Sequence, residues 1–310
     1  MVEDNEIKAQ VSPFAIREGE IKTFDGKDGY VSMNQIVHKI NIGHITDIHF
    51  AILDLVNEFE FITSRQIYQM LEIKGIDPKS QDKLNNKLDA LVKSKILTRY
   101  YFTSDEGKGI YRIYCLEKMG KYLLTSKEVE CKWQPSDNTK PVPMIKKRLA
   151  GNQVLIAYLR KVKAFDGYVV KPAITAKTLG KVFKATGGSV KLSKNGKSIQ
   201  FLFEVFRREM DWKKKLIEKM NLYKDFYENF QPGDSGFSSL PQLIFVCEDE
   251  KHMAECFKEI VTNKVEIPQI KLLFTTDLRQ NKETLDETLV EFKLVDGKYK
   301  MEDVELKLLG

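Results

Sequence analysis

The stretch from Ile45 to Leu124 constrains this chain most, because its apolar residues repeat with a helical period three times and then turn strand-like. Ile48, Ile52, Leu55 and Val56 share one face of a first helix, which Thr46 or Asp47 can cap. Thr63-Ser64 opens a shorter second helix with Ile67, Met70 and Leu71 inward. Asp77-Pro78 supplies a cap and a first-turn proline for a third, whose inner face is Leu84, Leu88, Leu91 and Val92. Two β-rich segments, 96–102 and 109–116, flank a polar tip. Helix, helix, helix, hairpin is the order of a winged helix-turn-helix.

A helix that reads DNA needs one apolar side to dock and one polar side to reach base edges. The outer face of the third helix carries Lys79, Ser80, Gln81, Lys83, Asn85, Asn86 and Lys87. Arg99, Lys108 and Arg112 of the hairpin add candidates for backbone phosphate or the minor groove. Double-stranded DNA is the expected partner. The competing reading is a solvated helix face on a protein-interaction module.

A chain of 310 residues is long enough for two domains with ordinary cores. No apolar run approaches the ~18 residues that cross a bilayer, and the start, Met-Val-Glu-Asp-Asn-Glu, has no hydrophobic signal core. A cytoplasmic protein without membrane contact is expected. Cys115, Cys131, Cys247 and Cys256 are scattered without Cys-x-x-Cys spacing, and His38, His44, His49 and His252 form no ligand pair at metal spacing. Neither metal nor cofactor is expected. Net charge is +6, but residues 141–230 hold 20 Lys/Arg against 7 Asp/Glu, leaving the remainder net negative. That asymmetry suggests either a polyanion-binding surface or a solvated lysine-rich face.

The expected organisation is an N-terminal arm or hairpin (1–43), the winged helix (44–125), a linker (126–143) bearing Pro135, Pro141 and Pro143, and a second domain (144–310). The second domain reads α-β-β-β-α-β-α-β. Its segment 198–206 is apolar enough for a central strand, and Asn195-Gly196 is a hairpin turn before it. The fold class is α+β: a winged helix followed by an α/β, restriction-endonuclease-like domain with a mixed sheet. Metal-dependent cleavage in that architecture needs paired carboxylates and a lysine on neighbouring strands. Here Glu204 is the one candidate, Phe206 stands at the lysine position, and no Asp or Glu lies between Tyr168 and Phe203. The incomplete set favours a structural, ion-paired Glu204. Arg207, Arg208, Lys213, Lys214 and Lys215 flank that strand as a possible secondary basic surface. No P-loop, nucleophile elbow or His-Glu-x-x-His helix occurs.

Several segments resemble the replication-relaxation family of plasmids, integrative conjugative elements and phages in Gram-positive bacteria. They are Thr63-Ser-Arg-Gln-Ile-Tyr, Ile96-Leu-Thr-Arg99, Phe203-Glu-Val-Phe-Arg-Arg-Glu209, Leu216 to Tyr223 and Pro241 to Cys247. The resemblance implies a winged helix joined to a nuclease-like domain, and a role in replication or transfer. Ala173 and Phe206 stand where the family pattern suggests acidic residues, which argues against nuclease activity. The expectation is a sequence-specific DNA-binding accessory protein without catalysis, with a relaxase or replication initiator as candidate partner and a homodimer as candidate assembly. The alternatives are a transcriptional regulator of the same element, or a divergent Mg²⁺ nuclease using Glu204 with Glu209 or Asp211.

Overall fold

The winged-helix order is present, with additions at both ends. The computed structural model describes residues 12–104, 107–282, 284–285, 287–296 and 298–305, the side chains of 107–110 excepted. Strand β1 (Ile21–Phe24) and helix α1 (Met33–Asn41) come first. The arm is therefore a strand and a helix, not a hairpin. Next are α2 (Asp47–Phe59), β2 (Ile62–Thr63), α3 (Ser64–Ile73), α4 (Gln81–Lys93), β3 (Leu97–Ser104) and β4 (Gly107–Leu116). The first sheet runs β1-β3-β4-β2, so the arm adds a strand to the wing.

Capping fixes the helix starts. Thr63 Oγ1 accepts the Gln66 N–H at 3.1 Å and Gln66 Oε1 accepts the Thr63 N–H at 3.2 Å, a reciprocal capping box. Helix α4 starts later than the proline suggests. The Lys79 N–H turns back onto Asp77 Oδ1 at 2.7 Å, and Lys79 adopts φ 67°, which no helix continues through. Ser80 is the N-cap, its Oγ accepting the Lys83 N–H at 3.2 Å.

Helix α5 (Lys118–Ser126) closes the winged helix. The proline-bearing segment after it is strapped down: Asn138 Nδ2 donates to the Leu116 carbonyl at 2.9 Å, and Trp133 Nε1 donates to Asn138 Oδ1 at 3.1 Å. The remaining elements are α6 (Val142–Lys161), β5 (Phe165–Val169), β6 (Ala173–Ala176), β7 (Lys181–Lys184), β8 (Ser189–Lys194), β9 (Lys197–Val205), α7 (Trp212–Glu228), β10 (Gln242–Cys247), α8 (Glu250–Thr262), β11 (Leu273–Thr276), β12 (Leu289–Val295) and β13 (Lys298–Val304). The sheet order is β13-β12-β11-β10-β9-β8-β5, with β9, β10 and β11 parallel and the other pairs antiparallel. It is the mixed sheet of the expected α/β domain, with β6–β7 as an extra hairpin. Asn195 (φ 52°) and Gly196 (φ 74°) make the β8–β9 turn with both residues left-handed, the geometry that Asn-Gly favours.

The period of β9 sorts its residues between two cores. Phe201, Phe203 and Val205 join α6 and the winged helix, whereas Leu202 faces α7 and α8 with Leu243 and Phe245. The first core is continuous across both halves of the chain, and buried bonds cross the boundary. Gln66 Nε2 reaches the Leu149 carbonyl at 2.8 Å, and Asn152 Nδ2 reaches that of Phe61 at 2.7 Å. At the carboxyl ends of the three parallel strands, where α/β sheets usually bind ligands, the arm folds back. Ser12 Oγ donates to Asp277, and the Ile16 N–H donates to Glu248 at 3.1 Å.

Candidate nucleic-acid interface

Helix α4 presents its polar residues on two faces rather than one. Gln81 and Asn85, one turn apart, are joined by a 3.2 Å hydrogen bond and line a cavity toward the α/β half. Lys83, Asn86 and Lys87 line a groove of 640 Å³ beside α2, with Ile48 and His49 in its floor. Lys83 and Asn86 are exposed, Lys87 is half-buried, and neither lysine has an ion pair among the described residues. Lys79 stands at the helix entrance, paired with Asp77 at 2.8 Å, and the Ser80 hydroxyl is taken up by capping. The ten proposed contact residues are thus not one surface.

The hairpin cations are mostly committed. Arg99 is largely buried, its Nε lies 2.8 Å from Asp25 and its Nη1 bonds Asp89. It locks the loop after β1 to α4 and is not free for a phosphate, which corrects the expectation. The sequence hid this because Asp25 arrives from the arm. Arg112 remains exposed, with Asp25 at 3.1 Å. Lys108 pairs with Thr103 in the β3–β4 ladder, and its side chain lies outside the described residues.

The cations of the secondary basic surface are mostly ion-paired. Arg207 is fully buried, and its Nη2 donates to both carboxylate oxygens of Asp277, at 2.8 and 2.9 Å. Arg208 meets Asp249 at 2.7 Å, Glu255 at 3.1 Å and Glu248 at 3.3 Å. Lys213 pairs with Glu259, and Lys215 with Glu209 at 2.9 Å. Lys213, Lys214 and Lys215 are all exposed, and Lys214 has Glu218 no nearer than 4.0 Å. Burial alone would raise the Glu209 carboxyl, but bonds from Lys147 and Lys215 hold it below the usual range.

Glu204 sits on the α7 side of β9, 2% exposed, in a cage of donors. Tyr223 Oη and Thr186 Oγ1 each donate to it at 2.6 Å, and Lys219 Nζ lies 3.4 Å away. Thr186 gets there because Gly151 and Gly187 let α6, its loop and β9 meet: a Cβ on Gly187 would stand 2.6 Å from the Phe203 Cβ. Burial, and then the Glu204 charge, push the Tyr223 phenol well up, so it stays a donor.

Sequence reading missed one cluster. Cys247 ends β10, and His252 and Cys256, one turn apart on α8, face it, so one ligand atom from each lies within 4.8 Å of the others. The cysteines are scattered in sequence but these two meet in the fold. The His252 Nδ1 accepts the Glu248 N–H at 3.3 Å, which leaves the ring proton on Nε2 and no free nitrogen lone pair for a metal. Burial, and then Arg208, lower His252 to about 3.

Comparison with curated proteins finds no match. Among solved structures, the restriction endonuclease FokI is similar at 11% identity and a TM-score of 0.26, over 75% of this chain and 43% of its own. The chain thus spans less than half the length of that protein. The family model described as Replication-relaxation matches residues 53–240, from inside α2 to the loop before β10, which is more than half of the chain. The chain belongs to the replication-relaxation family.

Proposed function

We propose that this protein is a sequence-specific, double-stranded DNA-binding accessory factor in the replication or conjugative transfer of a mobile element, cytoplasmic and without catalysis of its own. The observation that carries this reading is the Lys83, Asn86, Lys87 strip on the third helix of a winged-helix order, which keeps two lysines without ion pairs beside an amide. Lysines supply phosphate contact and asparagine reads adenine in the major groove. The caged Glu204, whose acceptors are already engaged, supports a structural rather than a metal-holding carboxylate. A relaxase or replication initiator is the partner this role requires, and a homodimer would match a palindromic site.

The test is binding of the full chain to duplexes from its own locus and of random sequence, at several salt concentrations. Lys83→Ala and Lys87→Ala should each reduce the slope of log affinity against log salt by about 0.9. Asn86→Ala should weaken binding to the specific duplex by about tenfold, and to random duplex little. Equal loss on both duplexes removes the base-reading role, and salt-independent behaviour removes the DNA interface altogether.

A further inference from the structure

A cavity of about 1010 Å³ lies between the winged helix and the α/β half, on the other side of α4 from the lysine strip. Arg65 in the first turn of α3, Arg112 of β4 and Arg160 at the end of α6 stand in its wall, all three exposed. Their charge is only partly answered. Arg65 has no ion pair among the described residues, and Arg160 has Glu72 no nearer than 3.8 Å. Arg112 shares Asp25 with Arg99. The other acid in the wall, Asp277, is already held by Arg207. The cavity is therefore electropositive.

Its wall also carries polar side chains that a polar ligand would meet: Gln81, Asn85, Gln153 and Asn281. Half-buried Tyr101 adds a ring beside them. The volume sits at the top of the range for small-molecule pockets, roughly 300–1000 Å³, and does not enclose a duplex, whose major groove alone is about 12 Å wide. A ligand with phosphates for the arginines, polar base edges for the amides and flat rings for the tyrosine is a run of unpaired nucleotides.

We propose that this cavity holds a few nucleotides of a single DNA strand while the Lys83–Lys87 face holds duplex. The inference rests on the DNA-binding reading above and deepens it: the two sides of α4 would grip the junction where a duplex opens. Gln81 and Asn85 then serve the strand, and Asn86 serves the duplex.

Anisotropy of a labelled single strand of about 12 nucleotides, and of the duplex of the same sequence, tests this on the full chain. The cavity variant Arg65→Ala with Arg160→Ala, both exposed positions, should keep the wild-type melting temperature. It should lose at least about tenfold in single-strand affinity and hold its duplex affinity. Lys83→Ala with Lys87→Ala should do the reverse, so a failure of either reading is visible separately. The proposal is overturned if the cavity variant binds the single strand as wild type does, or if both ligands weaken together. It is also overturned if dAMP or inorganic phosphate displaces the strand at matched phosphate concentration, which would make the cavity a site for a free nucleotide or anion.

Discussion

Replacing Arg207 with methionine separates the two roles open to a basic residue at a strand end, gripping phosphate or holding the core. The structure puts Arg207 in the core: its side chain is 0% exposed, that of Asp277 is 4%, and Nη2 reaches both carboxylate oxygens, at 2.8 and 2.9 Å. Methionine fills much of the same volume but strands a carboxylate whose other neighbours are the Ser12 hydroxyl and the Glu248 charge. Breaking one side of a buried pair costs about 3–5 kcal/mol, which in a chain of this size lowers the melting temperature by on the order of 10 °C. The loss should depend on pH. Burial already raises the Asp277 carboxyl against the pull of Arg207, so without the arginine it takes up a proton in the folded state more readily than in the unfolded one. A carboxyl raised on folding adds stability as pH falls, so the deficit should be largest near pH 8 and shrink toward pH 5. Urea titrations followed by the fluorescence of Trp133 and Trp212 measure it, and DNA affinity of the folded variant should match wild type. A variant as stable as wild type that binds DNA about tenfold more weakly would refute the assignment and return Arg207 to the DNA surface.

Tyr223→Phe removes one of the two 2.6 Å donors to a buried carboxylate, and should cost about 1–3 kcal/mol in chemical denaturation without altering duplex affinity. Mg²⁺-dependent cleavage of plasmid DNA that disappears in Glu204→Gln would overturn that structural role. His252, held near 3 by burial and then by Arg208, is depressed below its unfolded value. The unfolded chain therefore binds the proton first, and stability is lost as pH falls below about 6.5. About 2 kcal/mol should be gone by pH 5, and His252→Gln should flatten that part of the profile; an unchanged slope would mean the acid sensitivity lies elsewhere.

What was legible in the sequence is what depends on period and local chemistry. The Thr63 cap, the Asn195-Gly196 turn and the apolar run of β9 all appear where the pattern put them. What was not legible depends on which distant segment arrives. Nothing near Arg99 announces Asp25, and nothing near Cys247 requires the α8 face that brings His252 and Cys256 to it. Likewise the outer face of α4 looks uniform in sequence, and only the docking of α6 divides it into a cavity side and a groove side.

The charge asymmetry shows why sequence position is a poor guide to surface. Residues 141–230 carry the basic excess, yet several of their cations meet acids from outside that block: Lys146 with Glu20 at 2.5 Å, Lys171 with Glu60, Arg207 with Asp277, Arg208 with Asp249, and Lys213 with Glu259. Burial, helped by neighbouring Arg148, even lowers Lys171 to about 8. An excess of one sign in the middle and of the other at the flanks is what a chain needs when its flanks fold back on its middle. Here the arm supplies Glu20, the winged helix supplies Glu60, and the last third supplies Asp249, Glu259 and Asp277. Much of the basic block therefore serves assembly, and under the proposed DNA-binding reading affinity would draw on cations that folding leaves without an ion pair among the described residues, such as Lys83 and Lys87 on one side of α4 and Arg65 on the other.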